Sequence, residues 1–292
     1  MSGASRPSRD TPDTQRRRLR DALRRARLDS GLTQGSVAQQ LYWSLSKVIR
    51  IETGAVPVVP VDVQAMARLY GLDDEQIEQL IEFSRAARKQ SWSHYKDIYA
   101  PGVLAYFGNE SAATTIYGYE PVFVDGLLQT PDYARALFKV LSYSDIDVDR
   151  RLEFRLQRQQ LLDSEQPPQV ILVLDEAAIS RNVGGHETML GQLEQIKRLA
   201  AMPNISIQLL PFESGGHRNM STSIRILLFD DPGLPDLLYL EDPAMAVGTE
   251  DDPMLVNRYL SDLADLQSLA DPPERLNAEI DRIARERFGK AE

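Results

Sequence analysis

Short apolar stripes with helical spacing dominate the first 90 residues of the chain. On an arginine-rich opening segment the apolar positions are Leu19, Leu23 and Ala26, and four later segments show similar spacing. This pattern predicts five amphipathic helices, and hence an all-α head. Each of the last four begins at a residue that favours a helix start. These residues are Thr33, Ser44, Pro60 and Asp73.

Beyond residue 110 the pattern changes to β-rich runs alternating with helical segments. The predicted strands are TTIYGYEPVFV, PQVILVLDE, NISIQLLPF, SIRILLFDD and DLLYLED. Helices are predicted at TPDYARALFKVL, at DVDRRLEFRLQRQQLLD, in a stretch of nearly thirty residues ending near Met202, and in two C-terminal segments. A strand, a helical crossover and a second strand predict a parallel pair, and the last two strands are predicted to be antiparallel. The predicted class is α+β: a five-helix head followed by a mixed α/β domain with a small mixed sheet and C-terminal helices.

The stretch 91–110 joins these two parts and is rich in aromatic residues. We expect it to be a partly ordered connection whose aromatic side chains dock onto the second domain. The predicted domains are therefore 1–90, a connection 91–110, and 111–292. The aromatic residues are Trp92, Tyr95, Tyr99, Tyr106 and Phe107.

Composition places the chain among ordinary globular proteins, with 42% hydrophobic and 26% charged residues in 292. No apolar run approaches the ~20 residues that a membrane span requires. The basic start lacks an apolar core, so no signal peptide is expected. The absence of cysteine excludes disulfides and thiolate metal sites. It is typical of a reducing compartment, and we predict a cytoplasmic protein with no membrane partner.

The net charge of −10 is distributed unevenly along the chain. Residues 1–54 contain 11 Lys and Arg against 5 Asp and Glu, whereas the remainder contains 22 against 38. A basic head on an acidic body is the asymmetry expected when only the head meets a polyanion. A basic, disordered N-terminal arm would give the same asymmetry.

The segment LTQGSVAQQLYWSLSKVIRIETG, residues 32–54, predicts two short helices joined by a tight turn. It resembles the XRE (Cro-like) family, whose pattern is approximately L-T-Q-x-x-L-A-x-x-L-x-x-S-x-S-x-I-S-R-I-E-x-G. The resemblance implies a helix-turn-helix that binds double-stranded operator DNA, with the third helix of the head in the major groove. It also implies repression as the default role.

The DNA-binding candidates lie on the two helices of this segment. Gln34 can reach a phosphate from the start of the second helix. Arg50 can hold a base or a phosphate, and Lys47 can donate to guanine. The full predicted set is Thr33, Gln34, Ser44, Leu45, Ser46, Lys47 and Arg50.

Three positions near the turn need separate comment. Tyr42 stands where many relatives have glycine, so a positive φ there would strain it. Leu45 stands where a polar residue is common, and it can touch a thymine methyl group or support dimer packing. The resemblance implies that Glu52 makes an internal salt bridge, with Arg24 or Arg27 as its partner.

The second domain also carries a resemblance, through YEPVFVDGLLQTPDYARAL, RLEFRLQRQQLL, VLDEAAISRNVGG and ISIQLLPFESGGH. These segments are similar, in that order, to the uncharacterised domain that follows an XRE head in many actinomycete regulators. The chain departs at Asp125, where relatives usually have proline. Kinship alone implies an antitoxin-like context with a very small partner protein.

A signal-receiving role for this domain would use polar residues at strand ends and on one helix face. Asp175 and Glu176 follow the run VILVL, where α/β sheets tend to place ligand sites, although Asp175 can equally cap the next helix. Arg155 and Arg158 lie on the predicted helix DVDRRLEFRLQRQQLLD, and they can equally tie this helix to acidic loops. The candidate ligand- or partner-binding residues are Gln129, Arg155, Arg158, Gln159, Glu176 and His217.

Two other classes of function remain open for this domain. Two GGH segments, with His186 and His217, suggest a metal-dependent hydrolase with Asp175, Glu176 or Glu241 as further ligands. No H-E-x-x-H pair, nucleophile elbow or phosphate loop accompanies them, so we predict no enzyme, no metal and no cofactor. Alternatively, the domain is a platform that docks a small protein.

A homodimer is expected because one helix-turn-helix covers only half an operator. The apolar C-terminal helices can supply its interface or belong to the core.

Overall fold

The computed structural model describes residues 10–88, 92–141, 144–241 and 247–289, which divide into two compact units. The first unit contains residues 10–88 and 92–94, together with 104–112 and 231–234. The second contains the other described residues. No helix in the described ranges is long and apolar enough to cross a membrane. The domain limits 1–90, 91–110 and 111–292 stay a prediction.

The five helices predicted for the head are all present. They are α1 (Pro12–Asp29), α2 (Gln34–Gln40), α3 (Leu45–Glu52), α4 (Pro60–Leu69) and α5 (Asp74–Ala86). Three of the predicted start residues cap their helices: the side chains of Thr33, Ser44 and Asp73 accept hydrogen bonds from backbone N–H groups three positions on. The fourth, Pro60, is the first residue of α4 and makes no side-chain cap. The three caps satisfy donors that a helix start leaves unpaired, so the local sequence sets where α2, α3 and α5 begin.

The helices of the first unit enclose one apolar core. Leu23 of α1, Val37 of α2, Val48 of α3, Val63 of α4 and Ile77 of α5 all lie buried in it. Burying a side chain of this size contributes about 1.5–3 kcal/mol. This core therefore holds the short helices α2 and α3, which are too short to be stable alone.

The connection 91–110 contains a regular helix, α6 (Pro101–Glu110), which the composition did not predict. Tyr95 and Tyr99 pack against Phe154 in the second unit, with ring centroids 5.0 and 4.9 Å away. Trp92, Tyr106 and Phe107 belong to the first unit, so the aromatic residues of the connection are divided between the two units.

Contacts between α1 and the end of α6 explain this placement. Arg17 Nη1 donates to Asn109 Oδ1 at 3.2 Å, and Thr11 Oγ1 donates to the carbonyl oxygen of Gly108 at 3.1 Å. A side chain at Gly108 would collide with Asp13. Glycine is therefore needed where the two helices approach closely.

The six described strands of the second unit form one mixed sheet. They are β1 (Thr115–Glu120), β2 (Gln169–Asp175), β3 (Ile205–Leu210), β4 (Ser223–Leu228), β5 (Leu237–Glu241) and β6 (Val247–Glu250). Their spatial order is β3-β2-β1-β4-β5-β6, with β1, β2 and β3 parallel and the remaining pairs antiparallel. The predicted parallel and antiparallel pairs are confirmed. Strand β6 was missed, and β1 ends earlier than predicted because Pro121 has no N–H to donate.

Helices α7 (Pro131–Val140), α8 (Asp145–Gln159), α9 (Glu176–Ser180), α10 (His186–Ala200), α11 (Pro253–Leu269) and α12 (Leu276–Ile283) complete the unit. The prediction of one helix of nearly thirty residues after β2 is wrong, because α9 and α10 are separate. Gly184 and Gly185 between them have φ of +79° and +96°. These angles are incompatible with a continuing right-handed helix.

The apolar side of α11 covers the sheet. Leu263 and Leu266 are buried against strand residues such as Ile226, and Leu255 and Tyr259 pack partly buried at the same core. Of the two roles considered for these side chains, the core role is the one that the structure supports.

Candidate functional site

Helix α3 presents one continuous exposed face. Val48, Ile51 and Glu52 are buried, which fixes the inward side of the helix. At 3.6 residues per turn, four of the remaining positions fall within an arc of about 140°. We call this set the α3 face, and its members are Leu45, Ser46, Ile49 and Arg50, all of them exposed. The arrangement offers a hydroxyl, a guanidinium and two apolar side chains to a partner.

A buried ion pair braces α3 from behind. Arg27 Nε and Nη2 donate to the two carboxylate oxygens of Glu52 at 2.5 and 2.9 Å, and Arg27 Nη1 donates to the Leu32 carbonyl oxygen at 2.9 Å. The hydrogen bond to Glu52 raises the pKa of Arg27. Of the two partners considered for Glu52, it is therefore Arg27 that fills the role, and the pair ties α1 to α3.

Gln34 belongs to the same brace. Its Nε2 donates to Glu52 Oε2 at 2.8 Å, so the amide predicted to reach a phosphate is engaged inside the protein. Thr33 caps α2, and its hydroxyl also lies 2.8 Å from Ser36 Oγ. The Gln34 bond ties α2 to α3, whereas the Thr33 bonds fix the start of α2.

Tyr42 lies in the turn between α2 and α3. Its φ is +56°, in the left-handed region, and its side chain is 97% exposed. A bulky residue in this region is strained because its Cβ crowds the backbone. The turn therefore adopts a positive φ although glycine is absent, and the ring extends into solvent.

Lys47 differs from Arg50, the other charged residue of the predicted base-reading set, because its charge lies beside a carboxylate of the first unit. Its Nζ lies 2.9 Å from Asp62 Oδ2 of α4 and 3.6 Å from the centroid of the Trp43 ring. The side chain is 33% exposed. Lys47 must therefore leave an ion pair before it can donate to DNA, whereas Arg50 donates only to the Ser46 carbonyl oxygen at 3.3 Å among its described hydrogen bonds.

In the second unit, four of the six candidate residues meet beneath the loop that follows β1. Arg155 Nη1 donates to Gln129 Oε1 at 2.6 Å, and Gln129 Nε2 donates to the Val124 carbonyl oxygen at 2.7 Å. Gln159 Nε2 donates to the carbonyl oxygens of Gly126 and Gln129 at 2.9 and 2.8 Å. We call this set the loop cluster, and its members are Gln129, Arg155, Arg158 and Gln159.

The loop cluster is packed tightly. Gln129 and Arg158 are buried, and a side chain at Gly126 would collide with the guanidinium groups of both Arg155 and Arg158. The described hydrogen bonds of Gln129, Arg155 and Gln159 are made within the protein, and they hold the loop against α8. These hydrogen bonds brace the loop against α8, and a binding role for the four residues stays a prediction.

Glu176 and His217 lie apart from the loop cluster. Glu176 is buried, where it accepts from the Phe212 backbone N–H at 3.0 Å and from Arg282 Nη2 at 3.0 Å. It ties the start of α9 to the loop after β3 and to α12. Its two carboxylate oxygens are thus both used inside the unit.

His217 takes part in a second buried group at the carboxyl ends of the parallel strands. The Tyr119 hydroxyl lies 3.1 Å from His217 Nε2 and 3.2 Å from Asp175 Oδ2. Burial, followed by the charge of Asp175, raises the pKa of Tyr119 far above its usual value. Asp175 also caps α9 through Oδ1, which accepts from Ala177 N–H at 2.9 Å, so its capping role is present.

The twin GGH segments are placed differently. His186 begins α10 and packs edge-on against Phe288, with centroids 5.8 Å apart. The side chain of Glu241 lies outside the described residues. Within the described part of the chain, no three His, Asp or Glu side chains are grouped to hold a metal ion. That the chain is not an enzyme stays a prediction.

Sequence reasoning missed one polar centre in the second unit. Arg225 on β4 is buried between Asp125 and Glu120, and its Nη2 bonds both carboxylates. Asp125 Oδ1 also accepts from Leu127 N–H at 2.7 Å. Two signals pointed to the pair: Asp125 in place of proline, and a single arginine inside the apolar strand SIRILL.

Residues 104–282 match a family described as a domain of unknown function (DUF5753), and residues 18–80 match a helix-turn-helix domain. No curated protein and no solved structure matches the chain significantly. The second match covers α2, the turn at Tyr42 and α3, so the α3 face belongs to a recognised helix-turn-helix. It supports DNA binding and a role in transcription regulation.

Proposed function

The chain belongs to the DUF5753 family and carries a helix-turn-helix domain, and we propose that it is a sequence-specific transcriptional regulator of the XRE type. The observation that carries this proposal is the α3 face. Its side chains are exposed on a helix whose other side is locked by a buried core and by the Arg27–Glu52 pair. A rigid helix with outward polar groups is what major-groove recognition requires.

The proposed roles follow from position on the two helices. Ser46 and Arg50 donate to base edges or to phosphates, and Ser44 and Thr33 lie at the starts of α3 and α2. Lys47 exchanges Asp62 for DNA as the complex forms. A partly exposed ion pair of this kind, near the surface, is worth only about 0–1 kcal/mol, so DNA can displace it at little cost.

We further propose that the protein acts as a homodimeric repressor in the cytoplasm. One helix-turn-helix reads half a site, and two half-sites are usually about one DNA turn apart. The second unit would receive the signal, from a small-molecule effector or a small partner protein. Support for this comes from Asp175 and His217, which lie by the carboxyl ends of parallel strands, where α/β sheets tend to bind ligands.

Fluorescence anisotropy on the duplex upstream of the protein's own gene tests DNA recognition. The full-length protein is titrated against this duplex and a scrambled one over a series of salt concentrations. We expect a preference of ~10³-fold or more for the own-gene duplex. Arg50→Ala should weaken specific binding by about tenfold or more, because a base or phosphate donor is lost.

The matched control is Arg85→Ala. Arg85 is an exposed arginine on α5, paired with Glu78 at 3.1 Å, and α5 packs mainly on α1 and α4. This variant removes the same charge from the same unit, and it should leave specific binding nearly unchanged. Equal binding of both duplexes, lost as salt rises, would contradict the proposal and leave only the basic α1 as a polyanion contact.

A further inference from the structure

The α3 face is unusual in its balance of apolar and charged groups. Leu45 is 49% exposed and Ile49 is 38% exposed, one helical turn apart on the same side. Lys47 is turned toward Asp62 and Trp43. Two large apolar side chains therefore occupy one edge of the face, and the other edge holds Ser46 and Arg50.

Apolar side chains have few partners in the major groove. Base edges there carry hydrogen-bond donors and acceptors, and the apolar group among them is the C5-methyl group of thymine. A cytosine edge opposite Leu45 or Ile49 would lose water from its amino group without gaining a hydrogen bond. The chemistry of the face thus selects for one kind of base.

On the basis of the proposed function, we infer that Leu45 and Ile49 are specificity-determining residues that recognise the C5-methyl groups of thymines in each half-site. Four residues of α-helix span about 6 Å, against about 3.4 Å per base step. The two contacted methyl groups therefore lie on base pairs one or two steps apart. Arg50, on the other edge of the face, contacts the flanking guanine or phosphate.

Continuity of the surface favours DNA over a protein as the occupant of this apolar edge. Leu45 and Ile49 share one helix face with Ser46 and Arg50, and Leu45 directly follows the cap residue Ser44 at the start of α3. The N-terminal end of this helix is the part of a helix-turn-helix that meets base edges. A dimer contact or protein contact through the same side chains is a competing outcome of the test below.

The experiment compares thymine with uracil, which lacks only the methyl group. The full-length protein first selects duplexes from a random pool, and the half-site thymines are then replaced one at a time by deoxyuridine. We expect wild-type affinity to fall about threefold to fivefold for each contacted methyl group, the effect of removing one buried CH₂-sized group. Uracil placed outside the half-sites is the duplex control.

Protein variants that lack the apolar side chains are then tested on the same duplexes, which gives a double-mutant cycle between side chain and methyl group. Leu45→Ala/Ile49→Ala should bind the thymine and uracil duplexes within about a factor of two of each other, and its melting temperature should match wild type because both side chains are exposed. Leu45→Met/Ile49→Ala should restore discrimination at one thymine, since methionine replaces alanine at position 45 with an apolar side chain similar in volume to leucine.

Different failures are distinguishable. If wild type binds the selected duplex specifically but tolerates uracil at every half-site position, this inference is overturned and the proposed function stands. If no duplex is enriched by selection, the proposed function fails with it. If the double variant keeps its DNA preference but no longer self-associates, the apolar edge is a dimer contact and the inference is wrong.

Discussion

Polar candidate residues lie in opposite environments in the two units. Ser46 and Arg50 are exposed on α3, whose opposite side is buried. In contrast, Gln129 and Arg158 of the loop cluster are buried, and Gln129 makes a hydrogen bond within the second unit. The same sequence signal, polar residues grouped around a motif, therefore has two meanings. In the head these residues are exposed on one helix face, and in the second unit they make hydrogen bonds within the unit.

The largest effect should come from removing a buried arginine. Arg225→Met leaves the carboxylates of Asp125 and Glu120 buried together without their cation, and breaking such a pair costs about 3–5 kcal/mol. We expect the free energy of unfolding of the second unit to fall by this amount in urea titrations. Arg135→Met, which removes an exposed pair with Asp149, should cost about 0–1 kcal/mol. Equal losses in both variants would show that burial does not distinguish the two pairs.

A smaller effect on stability, from a change at Gln129, tests whether the loop cluster is a structural brace or a binding site. Gln129→Ala removes the acceptor of Arg155 and the donor to Val124, so the unfolding free energy should fall by about 1–3 kcal/mol. DNA affinity at temperatures where the protein is folded should not change. If Gln129→Ala leaves stability intact but abolishes the response to an effector or partner, the loop cluster is a binding site after all.

Alkaline pH should destabilise the second unit. Burial raises the pKa of Tyr133 to about 12 and that of Tyr95 to about 12, against about 10 in an unfolded chain. The folded unit keeps these protons while the unfolded chain loses them, so the contribution of these two tyrosines to stability is constant below pH 10 and decreases as pH rises toward 12. Urea unfolding at a series of pH values, followed by tyrosinate absorbance, measures this slope.

Tyr133→Phe provides the control for that titration. It removes one titrating group, so the slope of stability against pH above 10 should become shallower, although loss of the bond from Val124 N–H lowers stability at every pH. An unchanged slope would mean that Tyr133 is not among the groups that hold their protons.

The smallest effect concerns Lys47. Asp62→Asn removes its carboxylate partner and one negative charge near α3, so DNA affinity should rise about twofold to fivefold, as expected for an exposed pair worth about 0–1 kcal/mol. Anisotropy at low and moderate salt measures the change, and Asp74→Asn on α5 is a charge-matched control. A loss of affinity would show that Asp62 positions Lys47 for DNA.

Local signals were enough to place most elements. The caps at Thr33, Ser44 and Asp73 and the proline at position 131 act within a few residues, so the helix starts could be predicted without knowing the fold. The period of the apolar positions likewise predicted β2, β3 and the buried side of α3. Short-range hydrogen bonding and side-chain periodicity are written in the sequence itself.

Long-range contacts decided the remainder. The sequence indicated which residue types in the second unit are candidates for a site. Only the packing of α8 beneath the loop after β1 shows that Arg155 and Gln159 face inward. Similarly, Asp62 reaches Lys47 from another helix, and α6 divides between the units because its end packs on α1. The sequence by itself determined the helix-turn-helix and the class of fold. Only the tertiary structure decided which polar side chains remain available to a partner, because burial depends on residues distant in the chain.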